Sequence, residues 1–439
     1  MSCIENRYCL FPIKTLLGFL VFTEVLYFIG PIDYPTKSPG LLLVFLVIVN
    51  FFLYKGYLAG YKKRIKEKNV SISIYDPNKG TIRVFIYIAL AVGLLSIANT
   101  WQLGEFSISN IFGRATGGIL NPGEVYKEKT SFEETGKWGY ILMILSPFPI
   151  IAKCWSIYFW QRLSKDLKMI VIIVFLLDIL YWLGIGVRKG LLDLLIMFFL
   201  CVIASNYKLL QGKHLLRIVV LSVSLGIVFI FYFIYSNLSR YGLSSNEILY
   251  LTGSEYGIRP FYDNIPPILT IILTEVSGYL CQGYYALSCV LHDFFFEGVF
   301  FFSYGLGHNS FFLNVMDHLA PNFDIRSLTY FNYLQVKYGI DPRINWHTIY
   351  VWLANDFTVF GVIPVVYWIG SLLGKTWIDS IRKVTIYAVP LFYLVALCVF
   401  YFYANNQIFS FSFIPFWFSY MFYYLWRKKR RLFKINYNG

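Results

Sequence analysis

The sequence predicts an all-α polytopic membrane protein, and three observations carry that prediction. Hydrophobic residues make up 57% of the chain and charged residues 14%, whereas soluble domains hold about 25% charged residues. Apolar stretches of near twenty residues recur along most of the 439 positions, each long enough to cross about 30 Å of hydrocarbon as a helix. Lysine and arginine alternate in abundance from one connection to the next, as membrane topology demands.

Ten stretches qualify as spans: 10–29, 41–58, 84–102, 139–159, 169–187, 190–206, 218–236, 346–369, 384–403 and 408–426. Leu10–Ile29 has no small-residue cleavage site after it and is read as a retained span. With the N-terminus inside, the cytoplasmic segments hold 25 Lys and Arg and the external ones 12, although the external segments are longer. Both termini are therefore expected in the cytoplasm. The net charge of +14 is accounted for by cytoplasmic loops that meet anionic lipid, and no nucleic acid is expected as a partner. The whole chain, 1–439, is expected to be one transmembrane helical domain, with 237–345 as a large external loop inserted between groups of spans.

Within that loop Ile268–Tyr304 is apolar, yet it carries Glu275, His292, Asp293 and Glu297 and is interrupted at Gln282 and Gly283. No Lys or Arg lies between Arg259 and Arg326 to anchor a cytoplasmic turn. Two amphipathic or re-entrant helices at the outer surface are expected there, with twelve spans as the alternative. The seven cysteines show no CxxC and no zinc-ligand spacing, and a disulfide framework is not expected. There is no GxxxxGK[ST] phosphate loop and no inverted pair of broken helices, so ATP chemistry and a repeat-built transporter find no support.

The polar residues are unevenly placed. Gly186-Val187-Arg188-Lys189-Gly190 joins two spans with almost no loop, and cations at such depth point to an anion site. His292, His308, His318 and His347 lie in or just after the large loop, together with Arg240, Arg259, Arg326 and Arg343. Arginine suits a diphosphate because its planar fork donates two parallel charge-assisted bonds and stays ionised. Histidine can accept a proton near neutral pH. The span acids Glu24, Asp178 and Asp193 are expected to face the bundle and serve packing.

Several segments resemble the O-antigen polymerases of the Wzy type, the oligosaccharide repeat-unit polymerases. Gly186–Leu192 resembles their short Arg-containing turn between spans. Ser277-Gly278-Tyr279-Leu280-Cys281-Gln282-Gly283-Tyr284-Tyr285 is similar to their Gly-Tyr segment, followed by Tyr304-Gly305-Leu306-Gly307. Asn345-Trp346-His347-Thr348, then Asp356-Phe357 and Gly361, resembles the start of their next span. The motif-level likeness covers about a quarter of the chain and the overall plan nearly all of it.

The resemblance implies a glycosyltransferase C-like enzyme of the bacterial inner membrane whose site faces the periplasm. It would move a growing glycan from undecaprenyl diphosphate onto a new lipid-linked repeat unit, without cofactor or metal. A chain-length regulator and a flippase are the implied protein partners. The expected catalytic residues are His347 first, beside Thr348 and one helical face from Asp356, then His308, with Asp356 itself. Arg188, Lys189, Arg259, Arg326 and Arg343 are expected to hold the diphosphate, and Tyr284 and Gln282 to contact substrate. An O-antigen ligase, or a flippase or exporter of lipid-linked oligosaccharides, is the alternative reading.

Overall fold

The computed structural model describes residues 8–67, 79–100, 108–125, 137–210, 212–241, 256–320, 322–342 and 345–435. Its helices are α1 (Phe11–Ile29), α2 (Pro39–Lys66), α3 (Lys79–Thr100), α4 (Ile108–Leu120), α5 (Lys137–Leu145), α6 (Pro147–Tyr158), α7 (Lys165–Gly184), α8 (Lys189–Ser205) and α9 (Gly212–Tyr241). After them come α10 (Pro267–Phe296), α11 (Ser310–Leu319), α12 (Tyr330–Tyr338), α13 (Ile349–Ile381), α14 (Ala388–Phe400) and α15 (Phe413–Ile435).

The protein is membrane-embedded: six helical stretches among the described residues are long and apolar enough to cross a bilayer. They are Phe11–Ile29, Pro39–Lys66, Gly80–Thr100, Gly139–Tyr158, Lys165–Gly184 and Ile349–Ile381. Each expected span contains a helix, but not always one of spanning length. The stretch expected at 384–403 is helical only over the 13 residues of α14, about 20 Å. The stretch expected to end at 369 runs on to Ile381.

The chain forms two compact units, each discontinuous in sequence. The first comprises Met1–Lys66, Leu243–Lys375 and Val395–Phe413; the second comprises Glu67–Gly242, Thr376–Leu394 and Ile414–Gly439.

In the first unit, α2 and α13 meet through matched glycines four residues apart. A methyl group on Gly56 or Gly60 would collide with the carbonyls of Tyr367 or Ser371, and one on Gly370 or Gly374 with those of Leu53 or Tyr57. This is the small-xxx-small packing that lets membrane helices approach backbone to backbone, where lipid offers no hydrophobic drive.

The same unit corrects the reading of Ile268–Tyr304, because one continuous 30-residue helix, α10, replaces the two expected. Gln282 and Gly283 do not interrupt it. At Gly283 an added Cβ would lie 2.5 Å from the carbonyl oxygen of Tyr403, so the glycine serves a close approach inside the helix. The path of α10 follows from its contacts. Cys281 Sγ donates to the Thr23 carbonyl at 3.5 Å, Tyr284 and Thr23 share a hydrogen bond of 2.8 Å, and Ser288 Oγ accepts from Lys37 N at 3.2 Å. His292 Nδ1 then meets Ser38 Oγ at 2.8 Å. Along α10 these contacts extend from Cys281 to His292, about 17 Å at 1.5 Å per residue. On α1 and its connection they stay within the end that carries Thr23–Ser38. Helix α10 therefore crosses the Ile29 end of α1 and does not run along it.

In the second unit, α3 packs on α6 and α7, and α4 packs on α7. Ile97, Ile111, Leu177 and Ile185 form a buried cluster there with Leu180 and Trp182 around it. The span acids are used in packing, as expected. Asp178 pairs with Lys153 across α6 and α7, and Asp193 pairs with Lys189 one turn earlier in α8 at 2.7 Å. Asp379 accepts from Tyr423 at 2.5 Å and pairs with Arg427, which also meets Glu67 at 2.5 Å. The first cation of the basic C-terminal segment is thus consumed by a buried network.

Candidate active site

Helix α13 begins in an apolar run but carries Asn355 and Asp356 in its second turn, and both side chains are buried. Two residues later the helix breaks: Thr358 has φ 57° and ψ 172°. The break frees backbone groups that an intact helix would satisfy internally. The segment Ser303–Asn309 fills them. Ser303 N donates to the Asn355 carbonyl at 3.0 Å, in place of the helical donor four residues on. Tyr304 and Gly305, at φ 54° and 78°, turn this segment into the gap.

That turn brings His308 to Asp356. The carboxylate of Asp356 accepts from Gly305 N at 2.9 Å, His308 N at 2.7 Å and His308 Nδ1 at 2.7 Å. A carboxylate is an acceptor only, so the Nδ1–H tautomer of His308 is assigned and Nε2 carries the lone pair. Two asparagines clamp the backbone on either side of the dyad. Asn355 Nδ2 donates to the Gly307 carbonyl at 3.1 Å while its Oδ1 accepts from Tyr330 N at 2.7 Å. Asn406 Nδ2 donates to the His308 carbonyl at 2.6 Å and its Oδ1 accepts from Phe409 N at 3.2 Å. The rings of Phe409 and Phe357 flank the imidazole at 5.3 and 5.7 Å. A histidine whose Nδ1–H is fixed by a carboxylate is poised to take a proton at Nε2, because the anion stabilises the imidazolium that results.

His347 occupies a different environment. It is 3% exposed, its Nδ1 donates to the Asn345 carbonyl at 3.0 Å, and its Nε2 is buried with no partner among the described residues. Asp356, expected near His347, is instead joined to His308.

Arg259 lies at the end of α1, where its guanidinium donates to the carbonyls of Phe28 and Tyr27 and to Asp33 at 3.4 Å. This is a helix C-terminal cap, a common use for a cation. Arg326 is half exposed and meets Asp317 Oδ2 at 2.7 Å and Asn314 Oδ1 at 2.6 Å. Arg343 lies outside the described residues. Arg188 and Lys189 belong to the second unit. Arg188 is buried, donating to the Phe233 carbonyl at 3.2 Å and lying 4.9 Å from the Phe233 ring, while Lys189 holds Asp193. Tyr284 is buried against Thr23, and Gln282 accepts from Asn345 Nδ2 at 3.4 Å.

A second polar cluster sits at the C-terminal end of α10. His292, Asp293 and Glu297 offer ligand atoms within 4.8 Å of one another. However, Lys337 Nζ reaches Asp293 at 3.2 Å and Glu297 at 2.5 Å, and Tyr333 and Tyr338 each donate to Asp293 at 2.9 Å. The ammonium already supplies the positive charge, so the cluster fits an ion-pair network that ties α12 to α10.

Sequence reasoning named His308 and Asp356 but missed Asn355 and Asn406. A signal existed: carboxamides inside apolar runs need partners, and Asn405-Asn406-Gln407 sets three in succession between two such runs. No family model, no curated protein and no solved structure matches this chain.

Proposed function

We propose that the protein is a membrane glycosyltransferase that polymerises lipid-diphosphate-linked oligosaccharide repeat units, as its resemblance to the Wzy-type polymerases implies. The observation that carries this reading is the His308–Asp356 dyad, set in a break of a spanning helix. His308 Nε2 takes the proton from a hydroxyl of the acceptor sugar. The hydroxyl oxygen bonds to the anomeric carbon of the donor glycan, and the bond from that carbon to the diphosphate oxygen breaks. Undecaprenyl diphosphate leaves with the electron pair, a stable anion that needs little acid assistance. Geometry therefore favours His308 over His347 as the base, since the latter is buried and has no carboxylate fixed on its ring.

Arginine remains the proposed partner of the diphosphate; within the unit that holds the dyad Arg326 is the leading position, because it is half exposed whereas Arg259 is engaged as a helix cap. The proposed topology has ten spans, cytoplasmic termini and 237–345 on the periplasmic side. It is supported by the two flanks of α10: Arg259 before it, through Pro31 and Asp33, and His292 within its last turns, through Ser38, both attach to the connection between α1 and α2.

The test is reconstitution of the full chain with undecaprenyl-diphosphate-linked repeat units. A ladder of longer products that disappears in His308→Ala supports the polymerase. Transfer only to a lipid core acceptor makes the protein a ligase, and movement of lipid-linked sugar across the bilayer without a new glycosidic bond makes it a transporter.

A further inference from the structure

Three carboxamide groups around His308 have a buried polar atom without a partner among the described residues. They are Asn309 Nδ2, Asn405 Oδ1 and Gln407 Oε1. Their residues are 0%, 2% and 2% exposed. Each is tied to the dyad by a short path. Asn309 follows His308 directly, and Asn405 and Gln407 flank Asn406, whose side chain holds the His308 carbonyl. In two of these groups the other atom is used: Asn309 Oδ1 caps α11 through Phe311 N at 2.9 Å, and Gln407 Nε2 donates to Ser412 Oγ at 2.9 Å. Buried polar groups are paired in folded proteins, so one donor and two acceptors left over beside a candidate base demand a polar occupant.

We propose that Asn309, Asn405 and Gln407 form a subsite for vicinal sugar hydroxyls next to His308. This rests on the transferase reading and deepens it. A hydroxyl both donates and accepts, so a diol can accept from Asn309 Nδ2 while donating to Asn405 Oδ1 and Gln407 Oε1. No single ionic group matches that set: an anion cannot donate, and an ammonium cannot accept. The wall of the subsite is the Gln407–Phe411 turn, wound in the π form, a rare geometry frequent at functional sites. Its Phe409 ring covers the imidazole at 5.3 Å and offers an apolar sugar face a stacking surface. Outward movement of this turn admits the sugar, and its return brings the hydroxyl to Nε2.

The probe is a panel of methyl glycosides of glucose, galactose, mannose, rhamnose and N-acetylglucosamine. Each is added to the full chain in lipid nanodiscs, and saturation transfer to the sugar protons is read by NMR. At least one glycoside binds, and glycerol at the same concentration does not. Asn309→Asp keeps the oxygen that caps α11 but removes the unpartnered donor, and weakens that glycoside about tenfold, the loss of one good hydrogen bond. Gln407→Glu retains the acceptor and binds as the parent does, whereas Gln407→Met loses binding. Unchanged binding in both Asn309→Asp and Gln407→Met overturns the subsite, as does a panel in which no glycoside exceeds glycerol. The ladder assay separates the two readings. A ladder without glycoside binding sinks the subsite alone, and glycoside binding with neither a ladder nor transfer to a lipid core acceptor sinks the transferase and keeps the sugar site.

Discussion

Replacing Thr358 by glycine should stabilise the protein, although the same change almost anywhere else in a helix would weaken it. At φ 57° and ψ 172°, Thr358 occupies a region that is open essentially to glycine alone. Its Cβ collides there with its own backbone, and such a residue costs about 1–3 kcal/mol relative to one that fits. Glycine brings an entropic penalty of roughly 0.5–1 kcal/mol in the unfolded chain. The net gain is about 0.5–2 kcal/mol, or a few degrees in the unfolding midpoint for units of this size. Thr358→Ala is the control, because it removes the outer atoms but retains the Cβ and hence the strain. Thermal unfolding in detergent, followed by tryptophan fluorescence, should rank glycine above the parent and alanine at or below it. A glycine variant that unfolds no later than the alanine variant would refute the strained break.

Two further expectations concern the site and its frame. Asp356→Asn leaves one acceptor oxygen for three donors and removes the charge that stabilises imidazolium, so the ladder rate should fall about 10²–10⁴-fold, and an unchanged rate would remove His308 as the base. Gly60→Ala places a methyl against the Ser371 carbonyl and should cost about 1–3 kcal/mol in unfolding, whereas a neutral result would show that α2 and α13 do not touch there.

The all-α, membrane-embedded class was legible because lipid allows little choice: an apolar run near twenty residues must hydrogen-bond to itself, and a helix does so. The same logic failed at Ile268–Tyr304, where polarity was taken for interruption. Four of its polar residues, Gln282, His292, Asp293 and Glu297, are tolerated because each meets a partner from another segment. Gln282 meets Asn345, His292 meets Ser38, and Asp293 meets Tyr333, Tyr338 and Lys337. Such partners lie up to 254 positions away, and a linear reading cannot see them.

The site was half legible for a related reason. Histidine and aspartate declare their chemistry by type, so His308, His347 and Asp356 could all be named. Their pairing could not be read. Nine residues of unbroken helix would set Asp356 about 13.5 Å from His347 and on the opposite face, and the partner it takes instead lies 48 residues away. The deciding event is the break at Thr358, and threonine gives no warning of it, since a β-branched residue disfavours positive φ. What forces the break is the segment from Ser303 to His308, which offers the Asn355 carbonyl and the Asp356 carboxylate more donors than a continuous helix would. A buried carboxylate that receives three hydrogen bonds can outweigh a strain of about 1–3 kcal/mol at one residue, because each bond to a charged group contributes about 1.5–3 kcal/mol. The dyad and the broken helix are thus one structure: the bonds that orient His308 are those that hold Thr358 in its strained conformation. Thr358→Gly should therefore leave the His308–Asp356 geometry intact, while Asp356→Asn should let the α13 backbone relax toward a continuous helix.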